Sequence, residues 1–372
     1  MKNKKIISLI ASILSGSMLI SSGNLSVTAM DFTSFKNNSK KFICNHKKLI
    51  FSTCSVLTVL AAFKIYRSFR YHKLLDLATE ENLKSKFQIH FVDVGQGDCA
   101  LIKYNNMCWL VDAGYNLGLG ITDITKYLPE IGIKELSGLI LTHPHPDHYW
   151  NLKYIFEKFN PKKFYFSYLG PPVNIIDKLN ALQYKSRVEE PITKFKEKNP
   201  DNCIQVKSGS TIFESEDKNF SISVIGPTKK HEDVNDNSVV LLIKYKNKRI
   251  LMMGDAGVGS EKEILEYVEK QNIDISNVDL VKIGHHGNSS ASSPEFVKHT
   301  NPDAIVNSTG GHFFTFGLVN FHELPWVIRR WINGNNRSKK QKCKVLTTEE
   351  QKNIILYYDE TTKELKYARK EK

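Results

Sequence analysis

The segment Leu141-Thr142-His143-Pro144-His145-Pro146-Asp147-His148 places three imidazoles and one carboxylate within six residues. Pro144 and Pro146 forbid a helix and keep the chain extended, so the side chains of His143 and His145 share one direction. Asp147 and His148 open the next helix, where the chain turns and aims them at a second point. Neutral imidazole nitrogen and carboxylate oxygen are the donors that a borderline or hard divalent cation prefers. The spacing therefore offers two ligands to one ion and two to its neighbour. The competing reading is an exposed histidine cluster in which Asp147 only caps a helix. An H-x-H-x-D-H run directly after an apolar strand argues against it.

One segment cannot close two metal sites, and two further strand ends supply what is missing. The apolar run Ile250–Met253 ends in Gly254-Asp255, a carboxylate placed to bridge both ions. The run Leu280–Ile283 ends in Gly284-His285-His286-Gly287, offering one imidazole as a ligand and one as a proton donor or phosphate partner. Taken singly, Gly-Asp is a common turn and paired histidines sit in many loops. Their value lies in the company of the first cluster.

The elements that position these residues read as paired strands with helices between them. Phe87–Val92 alternates as a strand, and Cys99–Tyr104 pairs with Met107–Val111 around an Asn105-Asn106 turn. Ser238–Lys244 and Arg249–Met253 form a second hairpin across Tyr245-Lys246-Asn247-Lys248. Asn151–Phe159 and Ser260–Gln271 are helical, the latter opened by a Ser260/Glu263 capping box with Ile264, Leu265 and Val268 on one face. Ser293-Pro294-Glu295 reads as cap, first helical residue and dipole-matching acid. Hairpins with interspersed helices give an α/β (α+β) chain of packed sheets covered by helices, not a doubly wound parallel sheet.

The chain of 372 residues carries 52 Lys+Arg against 39 Asp+Glu, a net charge of +13. An apolar fraction of 41 % excludes a fully disordered chain. Six cysteines without a C-x-x-C pair exclude a disulfide framework, and Cys99 and Cys108, out of register on neighbouring strands, read as buried thiols. The basic excess suits a polyanionic partner such as nucleic acid or phospholipid, although a Lys-rich composition would produce it too. Residues 1–30 follow the order of a signal peptide or signal anchor: lysines in Met1–Lys5, an uncharged apolar Ile6–Ile20, then small residues with Val27-Thr28-Ala29 as a cleavage site. Within residues 45–70, Leu49–Phe63 is uncharged for 15 residues and flanked by basic residues, a hydrophobic segment that anchors the chain in a membrane or lies on its surface. The expectation is an exported or membrane-anchored protein whose globular part occupies residues 86–370, with the side of the membrane open.

At this point the chain resembles a known family. His143–His148 is similar to the metal-binding signature of the metallo-β-lactamase fold, and Val111-Asp112-Ala113-Gly114 resembles that fold's first motif. More narrowly, Phe91-Val92-Asp93-Val94-Gly95-Gln96-Gly97-Asp98 and Lys282-Ile283-Gly284-His285-His286-Gly287 resemble the C-terminal hydrolase domain of ComEC-type competence proteins. Asn235-Asp236-Asn237-Ser238 and Gly254-Asp255-Ala256 fit the same pattern, which extends from about Phe87 to Tyr358. The resemblance implies a four-layer αββα sandwich behind an N-terminal hydrophobic extension, with a dinuclear site along one edge of the sheets. His143 and His145 would hold the first ion, Asp147, His148 and His286 the second, and Asp255 would bridge. Asp112 would be a buried support and not a ligand. Asp93 and Asp98, around Gly95 and Gly97, orient backbone in this reading.

Departures from the family pattern shape the expected chemistry. No histidine lies between His148 and His231, so the first site lacks an imidazole that many members have, and an oxygen-richer site suits manganese as well as zinc. The loop Asn307-Ser308-Thr309-Gly310-Gly311, with His322 beyond, matches loosely, and the long polytopic membrane region of ComEC has no counterpart. Two divalent ions (Zn or Mn) would provide hydroxide near neutral pH. His285 would stabilise the attacked phosphoryl oxygen or protonate the leaving group, or else serve structure alone. Ser289, Ser290, Ser292 and Ser293, before a helix start, would bind a substrate anion through hydroxyls and backbone N–H groups, or merely form a polar loop and one N-cap. His312, Phe313, Phe314 and Phe316 would stack on a base or line the core, and Lys339, Lys340, Lys342 and Lys344 would steer a polyanion or stay solvated. The expected activity is phosphodiester hydrolysis, with nucleic acid as substrate partner. The alternatives are a phosphoesterase on a smaller or surface-polymer substrate such as phosphorylcholine, and a metal-bound binding module without turnover.

Overall fold

The computed structural model describes residues 74–115, 121–169, 182, 184–310, 325–333 and 343–371. The signal and membrane segments expected within residues 1–70, the 312–322 stretch and Lys339–Lys342 lie outside these residues. Among the described residues no helix is long and apolar enough to cross a membrane.

Alternation builds the first sheet. In Phe87–Phe91, residues Phe87, Ile89 and Phe91 face one side, while Gln88 and His90 face the other, where His90 Nδ1 meets the Tyr127 hydroxyl at 2.8 Å. From edge to edge the sheet runs Glu364–Lys370, Asn353–Asp359, Phe87–Phe91, Ala100–Tyr104, Met107–Val111, Gly138–Leu141, Phe164–Phe166 and Cys203–Gln205. Its first five strands pair antiparallel and the remainder parallel. The second sheet runs Lys344–Thr347, Ala304–Asn307, Leu280–Lys282, Lys248–Met252, Val240–Tyr245, Phe220–Gly226 and Thr211–Glu214.

The two sheets pack face to face. Phe87, Ile89, Ile102, Trp109 and Ile140 meet Phe220, Ile222, Leu241, Ile243 and Ile250 in one buried cluster. On the outer face of the first sheet, Leu101, Leu110, Leu139 and Leu141 pack with Tyr127 and Leu128 of the helix Ile124–Glu130 and with Leu152, Ile155 and Phe159 of the helix Leu152–Phe159. The helix Val258–Lys270 covers the second sheet, close enough that a Cβ at Gly226 would stand 3.0 Å from Ile264. The architecture is the expected four-layer αββα sandwich.

Local differences have tertiary causes. The second hairpin turns on Lys246-Asn247 alone, because Tyr245 pairs with Lys248. The helix expected from Ser260 begins at Val258, with Ser260 buried inside its first turns. Its start is fixed from elsewhere: the Asp236 carboxylate accepts the Gly257 amide at 2.8 Å, and the Ser290 carbonyl accepts that of Val258. Glu263, the supposed partner of a capping box, accepts the Thr228 hydroxyl instead. The Ser293 cap holds, accepting the Phe296 amide. Cys99 and Cys108 are buried free thiols, with Cys108 facing Lys103 across the hairpin. The packed unit starts upstream of Phe87, since Leu75 donates to Gln351 and Leu77 bridges to Arg369.

Candidate metal centre

Strand ends gather the expected residues at one edge of the sandwich. Gly138–Leu141 delivers Thr142 and His143, and the short helix Pro146–Tyr149 delivers Asp147 and His148. Lys248–Met252 leads to Asp255, and Leu280–Lys282 to His285 and His286. His143, His148, Asp255 and His286 are buried, while the Asp147 side chain is 28 % exposed and opens on the solvent.

Two groups of ligand atoms form. Asp147, His148, Asp255 and His286 make one, His143, His145 and Asp255 the other, and within each the atoms lie within 4.8 Å of one another. Asp255 belongs to both: Oδ2 stands 3.6 Å from His143 Nε2 and 3.3 Å from His148 Nε2, and Oδ1 stands 3.4 Å from His286 Nε2. Asp147 Oδ2 is 3.3 Å from His286 Nε2 and 3.9 Å from His148 Nε2. His143 Nε2 and His145 Nδ1 are 3.0 Å apart. Buried His148 Nε2, His286 Nε2 and Asp255 Oδ1 make no hydrogen bond. Such orphaned atoms are costly unless something else satisfies them. Converging nitrogen and oxygen donors fit two divalent cations.

Supporting contacts aim these atoms. His148 Nδ1 donates to Asp112 at 2.8 Å, and Asp112 also accepts the amide and hydroxyl of Thr142. His286 Nδ1 donates to the Ser308 carbonyl at 2.9 Å. Both imidazoles thereby present a bare Nε2 to the cluster. His285, His286 and Gly287 follow one another with φ of 48°, 51° and 82°, a left-handed run that turns successive imidazoles apart. The Asp255 amide donates to Ser238 Oγ at 3.0 Å. Thr142, Ser238 and Ser308 were not singled out as site residues by sequence. Ser238 sits in the Asn-Asp-Asn-Ser motif, but Ser308 acts through its carbonyl, which residue type does not reveal.

The electrostatics follow from burial and neighbours. Burial, with His148 adding to it, pushes the His143 imidazole well below the ordinary histidine range, and burial lowers His145 as well. At Asp255 burial acts upward, but the imidazoles of His286 and His148 outweigh it and hold the carboxyl well below the usual range. Asp147 is lowered likewise, by His148 and His286 against burial. In turn Asp255 raises His148 and His286 against their burial. Each carboxylate thus favours the charged form of the imidazoles beside it, and the imidazoles favour the charged form of the carboxylates.

His285 stands apart from the ligands. Its Nε2 is 4.0 Å from Asp255 Oδ2, and its Nδ1 lies 2.6 Å from Ser290 Oγ. Ser290 thus orients an imidazole at the mouth of the site. Ser289 is exposed and meets Asn288. The amides of Ser292 and Ser293 at the helix start are taken by the buried carboxylate of Glu261, so they offer nothing to a substrate anion.

A rim that sequence did not single out adjoins Asp147. Trp150 lies one turn beyond it and carries the Arg187 guanidinium 3.9 Å above its ring, with Tyr115 edge-on at 4.8 Å. Both Asp147 and Arg187 act electrostatically on the Tyr115 hydroxyl, which burial raises.

Residues 92–312 match the family described as the metallo-beta-lactamase superfamily. ComE operon protein 3 of Bacillus subtilis strain 168 is 23 % identical over 245 residues, 61 % of this chain and 29 % of that protein. Recombination protein 2 of Haemophilus influenzae is 23 % identical over 294 residues, 78 % of this chain and 31 % of that one. The chain spans less than a third of the length of these curated relatives. The metallo-beta-lactamase fold protein YhfI of Bacillus subtilis shares 12 % identity, with 72 % of this chain and 98 % of that one covered at a TM-score of 0.45.

Proposed function

We propose that this chain, which belongs to the metallo-beta-lactamase superfamily, is a metal-dependent hydrolase of phosphodiester bonds, with nucleic acid as its substrate class. The observation that carries the reading is the position of Asp255 in both ligand groups, the arrangement that a paired-cation hydrolase needs. His143 and His145 would hold one cation with Asp255, and Asp147, His148 and His286 the other. Zinc or manganese bound there would acidify a water and polarise a phosphoryl oxygen.

The remaining chemistry falls to the chain's own groups. His285, steadied by Ser290, is placed to hold at Nε2 the proton that a leaving alkoxide takes up. Tyr115, Trp150 and Arg187 offer an aromatic surface and a cation beside the mouth, suited to a base and a flanking phosphate. The net charge of +13 favours a polyanionic substrate, and one relative carries recombination in its name. Export or membrane anchoring through residues 1–70 belongs to the same proposal, supported by their order of lysines, apolar run and small residues.

The test is the purified protein loaded with zinc or manganese and offered DNA, RNA, bis(p-nitrophenyl) phosphate and nitrocefin. Cleavage of the phosphodiesters, lost in Asp147→Asn, is the expected result. Bound metal without turnover of any substrate would favour a binding module, and cleavage of nitrocefin alone would overturn the substrate class.

A further inference from the structure

We propose that the buried ion pair between Asp98 and Lys282 is a positioning device that holds Asp147, Asp255 and His286 at the spacing a cation requires. Lys282 ends the strand Leu280–Lys282, four residues before His286, and only 2 % of it is exposed. Its ammonium meets Asp98 Oδ2 and also donates to the Gly254 carbonyl at 3.3 Å, next to Asp255. Asp98 in turn donates its amide to the Asp147 carbonyl at 3.2 Å and brings Oδ1 to 3.6 Å from His286 Nδ1. Three ligand-bearing segments, distant in the chain, thus close on one pair of charges. Gly97 enforces the approach: with φ at 141°, a Cβ there would stand 2.3 Å from the Asp147 carbonyl oxygen.

Stability alone does not account for the pair. Two charges taken out of water are often matched or bettered by apolar side chains of similar volume, so an ion pair in this place speaks for geometry. Nor is the pair a third cation site, although Asp98, Asp112 and His148 bring ligand atoms within 4.8 Å of one another. Asp112 is engaged by Thr142 and His148, and the lysine ammonium is already the cation facing Asp98. A carboxylate behind Nδ1 of His286 also makes its Nε2 a better donor.

The inference rests on the metal reading above, and its test reads metal occupancy instead of activity. The full chain, stripped by chelation, is titrated with zinc alone by calorimetry, and the metal-free melting temperature is recorded for each variant. The parent takes up two equivalents. In Asp98→Asn and in the double variant Asp98→Asn/Lys282→Met, the equivalent held by Asp147, His148, Asp255 and His286 weakens by about 10–100-fold, and the one held by His143, His145 and the shared Asp255 weakens less. The double variant leaves no unpaired buried charge, so it folds even where a single one does not. Two equivalents at parental affinity in the double variant would overturn the positioning role alone. Equal weakening of both equivalents with a lowered melting temperature would reduce the pair to a structural one. A parent that binds fewer than two zinc ions would sink the metal reading and this inference together.

Discussion

The carboxylate of Asp112 accepts the Nδ1 proton of His148 at 2.8 Å, with both side chains fully buried. Asp112 sits at φ 58°, so the strand Met107–Val111 ends in a left-handed residue that carries its side chain back under Thr142 and His148. The imidazole is thereby fixed in direction, with Nε2 turned unbonded toward the cluster. Asparagine tolerates the same backbone, which makes Asp112→Asn a probe of charge with little strain. That variant should keep its fold and lose about 10–100-fold in affinity for the cation held by His148, measured by zinc titration.

His285 separates chemistry from metal binding. His285→Gln should retain two metal equivalents and lower kcat by about 10²–10⁴-fold, with the limb of the pH–rate profile that reports the leaving-group proton altered or lost. Ser290→Ala, which only frees the imidazole to turn, should cost far less. Steady-state kinetics across pH distinguishes the two.

The rim predicts a substrate-dependent effect. Tyr115→Leu should raise KM about tenfold for the p-nitrophenyl ester of thymidine 5′-phosphate and leave methyl p-nitrophenyl phosphate unchanged, because only the former has a base to stack. Equal effects on both esters would exclude a base-stacking role.

Legibility in the sequence followed the range of the forces involved. The His143–His148 cluster was readable because Pro144 and Pro146 fix the chain locally, and Asp255 and His286 because each follows a short apolar strand. The start of the helix at Val258 was not readable, since its cap comes from Asp236, 21 residues away, and overrides Ser260. Glu261 likewise occupies the amides of Ser292 and Ser293 from 31 and 32 residues away. The Asp98–Lys282 pair spans 184 residues, a distance across which no local pattern runs. Trp150 and Arg187 meet only because the two outer-layer segments that carry them are packed together.

Away from the site, His90 predicts an acid limb of stability. Burial, with Lys103 and Lys370 adding to it, lowers its pKa from 6.5 to about 3. Between those values the unfolded chain binds a proton that the folded one refuses, so this contribution is complete above pH 6.5 and lost as pH falls toward 3. At about 1.4 kcal/mol per unit the ceiling is roughly 5 kcal/mol. His90→Gln should flatten the fall in urea-unfolding free energy over that range, and an unchanged slope would contradict the assignment.

If the Asp255 carboxylate serves two cations, its loss must empty both sites, and metal content reads this out. Equilibrium dialysis against zinc, followed by elemental analysis, should find two ions per chain in the parent. Asp255→Asn should hold neither tightly and hydrolyse no bis(p-nitrophenyl) phosphate. Both ions and the parental rate retained in that variant would show that Asp255 bridges nothing.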